Sequence, residues 1–480
     1  MYVKSDLFIN GLWTPSESKE HYEVTCASTR EIIGRVPAGT VEDANRAVVA
    51  ASRALPNWSN VPREERAQLL ERIADGIERR SKEIGRFVAQ EVGMPLKLAT
   101  RVQAGSPVEI FRTFAKVLRE YSFEEVVGNC LITREPVGVV AAITPWNFPL
   151  HQIAAKTAAA LAAGCTIVVK PSEVAPLSAF LFAEVVEEVG LPAGVFNLIT
   201  GAGPTVGESL AAHPRVDMVS FTGSTAVGRR ILALAASTVK RVALELGGKS
   251  ASVILDDADL RTAVRGTVAS CYFNSGQTCS AHTRLLVPKA LYAEVAELAT
   301  EAARTFVVGS ALDEGTRLGP VASARQRDRV RGFIEQGIRD GASLLSGGLE
   351  LPPGLPDGFF VAPTIFGNVH PGSALGQEEI FGPVLSIITY ETEAEAVEIA
   401  NGTIFGLSGG VWTADENRGR AFARRLKTGQ VEINGGRHNS LAPFGGYKQS
   451  GRGREFGVAG LEEYLEMKAI LHKEPVAEAS

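Results

Sequence analysis

The stretch VVAAITPWNFPLHQIAAKTAAALAAGCTIVVKPSE, residues 139–173, places a segment of helical length between two short apolar runs. Three further runs follow along the chain: VFNLIT (195–200), DMVSFT (217–222) and RVALEL (241–246). After the second run, four apolar residues recur at every fourth position and share one helical face: Leu177, Leu181, Val185 and Val189. This alternation predicts an α/β fold with a doubly wound parallel sheet, which binds ligands beyond the carboxyl ends of its strands.

A second α/β block begins near Ser250 with ASVILDDADL and continues to about Asn434. A chain of 480 residues is too long for one ordinary hydrophobic core, so it should divide into two or three domains. We predict one domain over residues 1–117 and 137–249 and a second over residues 250–449. Residues 118–136 and 450–480 form a third region, because much of it fits neither block.

The composition excludes several classes of partner. Hydrophobic residues make up 45% of the chain and charged residues 21%, which is typical of a globular protein. The formal net charge of -5 and the lack of a long basic run argue against nucleic-acid binding. The longest apolar stretches, such as residues 154–163, are interrupted or too short to span a membrane.

The amino terminus and the cysteines predict the compartment. MYVKSDLFINGLW lacks the long apolar stretch of a secretory signal, and it predicts two strands joined by an Asn10-Gly11 hairpin turn. The cysteines are odd in number, scattered and without a CxxC pair: Cys26, Cys130, Cys165, Cys271 and Cys279. This pattern argues against a disulfide framework and a zinc site, and we expect reduced thiols in a cytoplasmic protein without a bound metal.

Cys279 differs from the other cysteines in its surroundings. It lies in FNSGQTCSAHTR, residues 273–284, among small and polar residues that form turns more often than cores. A free cysteine is commonly buried as a small hydrophobe, and Cys271 fits that description. The neighbourhood of Cys279 predicts an accessible thiol instead.

Polar motifs follow the predicted strands. TPWNFP (144–149) follows VVAAI, KPSE (170–173) follows TIVV, and FTGSTAVG (221–228) opens a helix. In the last motif, the backbone N–H groups between Gly223 and Gly228 would face an anion such as a dinucleotide pyrophosphate. Neither this spacing nor GAGPTVG (201–207) matches the GxGxxG fingerprint, so each glycine set alone favours a turn over a cofactor loop.

Seven motifs together resemble the aldehyde dehydrogenase superfamily, in family order and over nearly the whole chain: PWNFP, KPSE, FTGSTxxG, LELGGK (244–249), FNSGQTC, EEIFGPV (378–384) and PFGGYKQSGxGRE (443–455). The resemblance implies that the first domain is a Rossmann-type cofactor domain and the second a catalytic α/β domain. It implies a small β oligomerisation element and tail in the third region, and hence a homodimer or homotetramer. The implied reaction is the NAD(P)-dependent, non-acylating oxidation of an aldehyde to the carboxylic acid.

Three residues have catalytic roles by this resemblance. Cys279 matches the nucleophile, which attacks the aldehyde carbon to give a thiohemiacetal and, after hydride transfer, a thioester. Asn147 matches the side chain that stabilises the oxyanion together with the backbone N–H of Cys279. Glu245 matches the general base for thioester hydrolysis, and its apolar neighbours make a carboxylate without a task costly there.

The resemblance also implies a cofactor site. Lys170 and Glu173 match the pair that holds the adenosine ribose, Ser224 matches the pyrophosphate contact, and Glu379 and Phe381 match the contacts to the nicotinamide half. Further cofactor positions follow along the cleft: Ile143, Trp146, Gly203, Gly223, Gly228 and Leu246. Glu173 would repel the 2′-phosphate of NADP, so we predict NAD as the cofactor and NADP as the poorer one.

Alternatives to this assignment remain open at the level of sequence. His282 is three residues after the thiol and a Cys–His pair can activate cysteine, although no third orienting residue is apparent. A relative that passes the acyl group to coenzyme A typically lacks the glutamate that Glu245 matches. An inactive structural or binding paralogue would not need intact Cys279, Glu245 and Asn147.

The predictions about the substrate and the oligomeric state depend on fewer residues. Candidate substrate contacts of the small-molecule aldehyde are Phe148, Gln152, Thr278, Ser280, Arg437 and His438. If Arg437 and His438 reach the tunnel mouth, they favour a polar or anionic aldehyde over a long alkyl one, and otherwise Arg437 is a surface charge. EEVVGNCLITREPVGVV (124–140) has strand composition and would leave an exposed sheet edge in a monomer.

Overall fold

The computed structural model describes residues 1–474. The strands in this range are β1 (Tyr2–Val3), β2 (Asp6–Ile9), β3 (Leu12–Pro15), β4 (His21–Thr25), β5 (Ile32–Pro37), β6 (Glu124–Val127), β7 (Cys130–Pro136), β8 (Val139–Ile143), β9 (Thr166–Lys170), β10 (Phe196–Leu198), β11 (Met218–Thr222), β12 (Arg241–Glu245), β13 (Ala251–Ile254), β14 (Arg284–Pro288), β15 (Ser343–Ser346), β16 (Thr364–Gly367), β17 (Val384–Tyr390), β18 (Gly409–Trp412), β19 (Glu432–Ile433), β20 (Gly451–Arg452) and β21 (Leu465–Leu471).

The α-helices in the same range are α1 (Val41–Ser59), α2 (Arg63–Arg79), α3 (Ser81–Val92), α4 (Leu96–Thr100), α5 (Ser106–Glu120), α6 (Pro149–Ala163), α7 (Leu177–Val189), α8 (Glu208–Ala212), α9 (Thr225–Ala235), α10 (Leu260–Tyr272), α11 (Tyr292–Arg304), α12 (Ala324–Arg339), α13 (Ala374–Gln377), α14 (Glu393–Asn401), α15 (Glu416–Ala423) and α16 (Gly457–Glu462). The alternation of strands and helices confirms the predicted α/β class.

The first large sheet has the strand order β20-β12-β11-β8-β9-β10-β2-β3. Its five central strands, β12 to β10, are parallel. From β8 the chain proceeds through β9 to β10 on one side and then returns to β11 and β12 on the other. The sequence order therefore reverses between β8 and β11, and a crevice opens there at the carboxyl ends of the strands.

The local sequence accounts for the elements of this sheet. Strands β8, β9 and β11 are buried along their whole length, as expected for parallel strands covered by helices on both faces. Helix α7 coincides with the predicted amphipathic segment and ends at Gly190, which has a φ of 74°. The predicted hairpin is confirmed, because β2 and β3 pair antiparallel around Asn10 and Gly11.

The second large sheet has the order β15-β16-β17-β14-β13-β18-β19. All of its pairings are parallel except that of the edge strand β15. These strands extend from Ala251 to Ile433, which matches the second predicted block. The loop between α10 and β14 carries Cys279.

A small antiparallel sheet, β21-β7-β6, is built from the third region of the chain. On its edge strand β21, Met467 and Leu471 are 75% and 76% exposed. Not all of residues 450–474 belong to it: β20 pairs with β12 of the first large sheet, and α16 packs against α6. Residues 475–480 of the predicted element lie outside the described residues.

Residues 1–474 can also be compared with the predictions about membrane spans and disulfide bonds. Every helix in residues 1–474 is too short or too polar to cross the apolar core of a bilayer. All five cysteines are free thiols; Cys130 and Cys279 are partly exposed, and the other three are buried. Burial of Cys271 confirms its assignment to the core.

Candidate active site

The crevice between β8 and β11 collects the polar motifs predicted from the sequence. Ile143 ends β8 and is followed by Trp146 and Asn147, while Lys170 ends β9. Gly223 and Ser224 follow β11 in the same way, and Glu245 is the last residue of β12. Parallel strands end at one edge of their sheet, so these four segments converge at that edge.

The loop before Cys279 has a strained backbone. The φ angle is 50° at Asn274, 57° at Ser275 and 75° at Gly276. These values lie in the left-handed region, which residues other than glycine rarely adopt. A Cβ on Gly276 would collide with the carbonyl oxygen of Gly382, so the close approach requires glycine. Such strain persists only where the surrounding contacts hold it in place.

Buried side chains hold this loop in place. The Gln277 Nε2 donates to the Asn274 carbonyl at 3.1 Å, and its Oε1 accepts from the Ala322 N–H at 2.8 Å. The Ser275 hydroxyl donates to the Gly319 carbonyl at 2.8 Å. The backbone that carries Cys279 is therefore fixed before any substrate arrives.

Asn147 is oriented by the same loop. Its Nδ2 donates to the Gln277 carbonyl at 2.9 Å, and its own carbonyl accepts from Asn274 Nδ2 at 3.0 Å. An amide nitrogen has two N–H groups, so one remains available after the bond to Gln277. Asn147 can therefore offer a fixed donor to an oxyanion near Cys279.

Cys279 and Glu245 form a coupled pair from the two large sheets. Burial raises the pKa of the Cys279 thiol well above its usual range, and the Glu245 carboxylate adds to the rise. Burial also raises the pKa of Glu245 to about 8, with Glu455 as the second cause. Glu245 is 3% exposed, and neither of its oxygens has a conventional hydrogen-bond partner in the described residues. The Cys279 thiol can give its proton to Glu245 only when Glu245 is ionised, and the raised pKa of both groups keeps the resting pair largely protonated at neutral pH.

Lys156 and Glu455 border Glu245, and the sequence analysis did not predict them as site residues. Lys156 Nζ lies 2.5 Å from Glu455 Oε1, although the lysine is only 1% exposed. A cavity of about 10 Å³ is lined by both residues together with Glu245 and Tyr464. A space of this size holds one water molecule. The sequence contains one sign of this pair: Lys156 lies in the alanine-rich helix α6, where an unpaired buried charge would destabilise the fold.

Lys170 and Glu173 form a contact at the end of β9. Lys170 is 3% exposed, and its Nζ donates to Glu173 Oε2 at 3.2 Å. Burial lowers the pKa of Lys170, and Glu173 opposes this effect. Glu173 is exposed enough to meet a ligand in the crevice.

The start of α9 is suited to bind an anion. Ser224 caps the helix by accepting a 3.4 Å hydrogen bond from the Val227 N–H, and the first-turn N–H groups face the crevice end of β11. A Cβ on Gly228 would lie 2.7 Å from Leu246, so glycine permits this close packing. Gly223 donates its N–H to the Glu245 carbonyl at 3.1 Å, whereas a Cβ on Gly203 would meet no atom within 4 Å.

Glu379 and Phe381 precede β17 of the second large sheet. Glu379 Oε1 accepts from the Gly248 N–H at 2.9 Å, and a Cβ on Gly247 would collide with the same carboxylate. Burial raises the pKa of Glu379 to about 7. The Phe381 ring lies edge-on to Trp146, with 5.5 Å between ring centroids. Together with the strand ends, these groups fit a dinucleotide with its anionic centre at α9.

The predicted substrate contacts differ in their surroundings. Phe148 stacks on Phe273 at 6.2 Å, and the Thr278 hydroxyl donates to the Phe273 carbonyl at 3.2 Å. The Gln152 side chain is buried and accepts a 3.0 Å hydrogen bond from Thr222, which leaves its Oε1 engaged within the protein. Ser280 is partly exposed.

Imidazole and aromatic rings extend from Phe148 toward the surface. His151 Nδ1 lies 2.8 Å from Ser106 Oγ, and burial lowers the pKa of His151 to about 3, so its ring is neutral. The Phe456 ring lies between His151 and His438, at centroid distances of 5.7 and 5.5 Å. Arg437 is exposed on the loop next to His438.

His282 faces away from this arrangement. Burial lowers the pKa of His282 to about 4, and its Nε2 has no hydrogen-bond partner in residues 1–474. It lines a separate cavity with Trp412 and Glu432. The structure gives no support to a Cys–His pair with Cys279.

Comparison with known proteins identifies relatives over nearly the whole chain. The sequence profile of the aldehyde dehydrogenase family matches residues 13–470. The chain is 49% identical over 467 residues to the 3-succinoylsemialdehyde-pyridine dehydrogenase of a Pseudomonas species, covering 97% of this chain and 98% of that protein.

Solved structures agree with this match. Aldehyde dehydrogenase C of Pseudomonas syringae, a cysteine-to-alanine mutant in complex with NAD+ and octanal, has a TM-score of 0.96 and 46% identity, covering 97% of this chain and 96% of that one. An aldehyde dehydrogenase of Mycobacterium tuberculosis in complex with NAD+ has a TM-score of 0.96 and 40% identity, covering 98% and 99%.

Proposed function

The chain belongs to the aldehyde dehydrogenase family and oxidises an aldehyde to the carboxylic acid with NAD; from that premise we propose that Cys279, Glu245 and Asn147 are its catalytic residues. One observation carries the proposal: a buried carboxyl group without a conventional hydrogen-bond partner lies beside the thiol of Cys279. A structural role does not explain that arrangement, because an unsatisfied buried carboxylate destabilises the fold.

The first step forms a bond between the Cys279 sulfur and the aldehyde carbon. The thiol proton passes to the Glu245 carboxylate as sulfur attacks, and the carbonyl oxygen becomes an oxyanion. The free N–H of the Asn147 amide and the backbone N–H of Cys279 then donate to that oxyanion. Neither donor must reorganise, since the contacts of Gln277 and Asn274 already hold both.

NAD, when bound in this crevice, would supply the hydride acceptor that converts the thiohemiacetal on Cys279 into a thioester. We assign Lys170 and Glu173 to the adenosine ribose, Ser224 to the pyrophosphate, and Glu379 and Phe381 to the nicotinamide half. The other proposed cofactor positions line the same crevice: Ile143, Trp146, Gly203, Gly223, Gly228 and Leu246.

Hydrolysis of the thioester completes the cycle. Glu245 first loses the thiol proton to water in the small cavity beside it and is again a carboxylate. It then accepts a proton from the attacking water, whose oxygen bonds to the thioester carbon and releases the Cys279 thiolate, and that proton returns to the thiolate. The one-water cavity beside Glu245, bordered by Lys156 and Glu455, gives the proton a path from the carboxyl group. We place Lys156 and Glu455 as positioning residues, because they act through Glu245.

For the substrate we propose an aldehyde with a polar tail. The neutral His151 ring, the Ser106 hydroxyl and His438 offer hydrogen bonds along the path that leads from Phe148 to the surface. Arg437 next to His438 would add a bidentate contact for a carboxylate. The name of the Pseudomonas relative denotes a pyridine-bearing semialdehyde, which is consistent with a polar tail, whereas the Pseudomonas syringae enzyme binds octanal.

We also propose a homodimer or homotetramer that operates in the cytoplasm. The exposed apolar side chains of β21 and the unpaired edge of its sheet support an assembly, and the free thiols support a reducing compartment. In domain terms, residues 1–117 and 137–249 would bind NAD, residues 250–449 would carry catalysis, and residues 118–136 with β21 would form the interface.

The test of the proposed function is a substrate panel with product analysis. Aliphatic, aromatic and carboxylate-bearing aldehydes are assayed for NADH formation, and the products are identified by mass spectrometry with and without coenzyme A. We expect the carboxylic acid in both cases, with one NADH per acid. NADH formation that depends on coenzyme A would indicate the acylating reaction, and no NADH from any aldehyde would indicate an inactive paralogue.

A further inference from the structure

A second site lined by buried polar side chains lies behind the Cys279 loop, outside the proposed active site. A cavity of about 10 Å³ is lined by Lys249, Ser250, Arg284 and Ser408, with backbone from residues 405–409. None of these four side chains is more than 3% exposed. The volume admits one small guest, either a water molecule or a monatomic ion.

Three polar atoms at this cavity have no hydrogen-bond partner in the described residues: Lys249 Nζ, Ser250 Oγ and Ser408 Oγ. Buried polar groups in proteins nearly always form hydrogen bonds, so we expect each of these atoms to have a partner in the cavity. A single acceptor within hydrogen-bond distance of all three would satisfy them.

The charge around the cavity is positive. Arg284 donates to the carbonyl oxygens of Lys249, Ile399 and Ala400, each at 2.8 Å, so its hydrogen bonds go to neutral acceptors. Burial lowers the pKa of Lys249 to about 7, and Arg284 is the second cause of the lowering, whereas Cys271, Glu379 and Glu378 oppose it. An ammonium group in such a position requires a counter-charge to stay ionised.

We propose that this cavity binds one small monovalent anion of the size of chloride or bromide, held by the Lys249 ammonium group and the Ser250 and Ser408 hydroxyls. The anion would accept charge-assisted and neutral hydrogen bonds from all three groups and offset one of the two buried cations. A water molecule could bond to the hydroxyls, but it would leave Arg284 without a counter-charge and would not keep Lys249 ionised.

The site shares a wall with the catalytic loop. A Cβ on Gly248 would collide with the Cys279 carbonyl oxygen and would lie 3.5 Å from Ser250 Oγ. The N–H of Gly248 also donates to Glu379. An anion behind Gly248 would therefore stabilise the backbone that contacts both Cys279 and Glu379. We expect the anion to change the thermal stability of the protein more than its catalytic rate.

The direct test is anomalous diffraction from crystals of the full-length protein soaked in sodium bromide. We expect a bromide peak within hydrogen-bond distance of Lys249 Nζ. A cavity that holds only a water molecule, while bromide ions are found elsewhere on the same protein, would overturn the proposal.

A solution test compares thermal unfolding in sodium chloride and in sodium gluconate at equal ionic strength. Gluconate is too large for the cavity, so we expect a saturable rise in Tm with chloride or bromide alone, as for any ligand that binds only the folded state. Equal responses to chloride and gluconate would contradict the site.

Ser408→Ala removes one proposed ligand with little risk to folding. We expect it to raise the chloride concentration at half-saturation by about tenfold, the effect of one lost hydrogen bond to a charged group. In gluconate the variant should melt no lower than the wild type, because the deleted hydroxyl has no partner there. Lys249→Met should abolish the chloride response, whereas the matched control Lys97→Met, at an exposed lysine, should retain it. An unchanged half-saturation in Ser408→Ala would refute the assignment, whatever the folding of Lys249→Met.

Discussion

Replacement of Glu455 by glutamine should move the pH dependence of thioester hydrolysis to lower pH. Glu455 is the second cause, after burial, of the raised pKa of Glu245. Glutamine removes that negative charge but keeps an oxygen that can accept from Lys156 Nζ, which now lies 2.5 Å from Glu455 Oε1. The charge of Lys156 would then be less compensated. Both changes favour the Glu245 carboxylate, so both lower its pKa.

The size of the effect follows from the pKa of Glu245. With a pKa of about 8, roughly one Glu245 in eleven is a carboxylate at pH 7. A fall of about one pKa unit, the low end of what a nearby charge produces, brings that fraction to about one half. The rate of hydrolysis at pH 7 should therefore rise about fivefold, whereas at pH 9 it should change little because Glu245 is mostly ionised in both proteins.

The assay is the decay of the acyl-enzyme, followed by quenched-flow mass spectrometry between pH 6 and pH 9. Glu462→Gln is the matched control, since it removes a carboxylate from the same segment at an exposed position. It should leave the profile unchanged, because an exposed charge is screened by water and salt. A profile of Glu455→Gln that coincides with the wild type, or lies at higher pH, would refute this account of the Glu245 pKa.

Further predictions concern the cofactor, the substrate and the assembly. Glu173→Gln should reduce the preference for NAD over NADP by about tenfold in kcat/KM, because it removes a like charge from the 2′-phosphate; equal ratios in variant and wild type would contradict the role of Glu173. Arg437→Ala should lower kcat/KM for carboxylate-bearing aldehydes relative to neutral ones, and an unchanged ranking would make Arg437 a surface charge. Light scattering at micromolar concentration should give a dimer or tetramer, and a mass near 51.0 kDa would refute the proposed interface.

Strand ends were the most predictable part of the site. The alternation from residue 139 onward fixed which residues follow a strand, and in a parallel sheet those residues meet at one edge. Lys170, Ser224 and Glu245 are therefore where the sequence predicts them. The hairpin at Asn10 was equally predictable, because an Asn-Gly pair suits the left-handed turn.

Contacts between distant segments could not be predicted in the same way. The sequence predicts Gln152 as a substrate contact, and only the folded chain shows that its Oε1 accepts a hydrogen bond from Thr222. Strand β20 has only two residues and is defined by its pairing with β12. Such a short strand leaves no pattern in the sequence, and the prediction therefore placed all of residues 450–480 in one region. The pairing of Lys156 with Glu455 joins residues 299 positions apart, and periodicity carries no information about such a pair.

The central claim is that Cys279 carries the acyl group and that Glu245 chiefly hydrolyses it. Glu245→Gln keeps a similar size but cannot accept a proton from water. A single-turnover stopped-flow trace of this variant, joined to mass spectrometry of the quenched enzyme, should show a burst of at most one NADH per site, slower than in the wild type to the extent that Glu245 also takes the thiol proton. The acyl adduct should remain on Cys279, and steady turnover should fall by roughly 10²- to 10⁴-fold. Cys279→Ala should form no NADH at all. Near wild-type turnover in Glu245→Gln, or NADH formation by Cys279→Ala, would contradict the account.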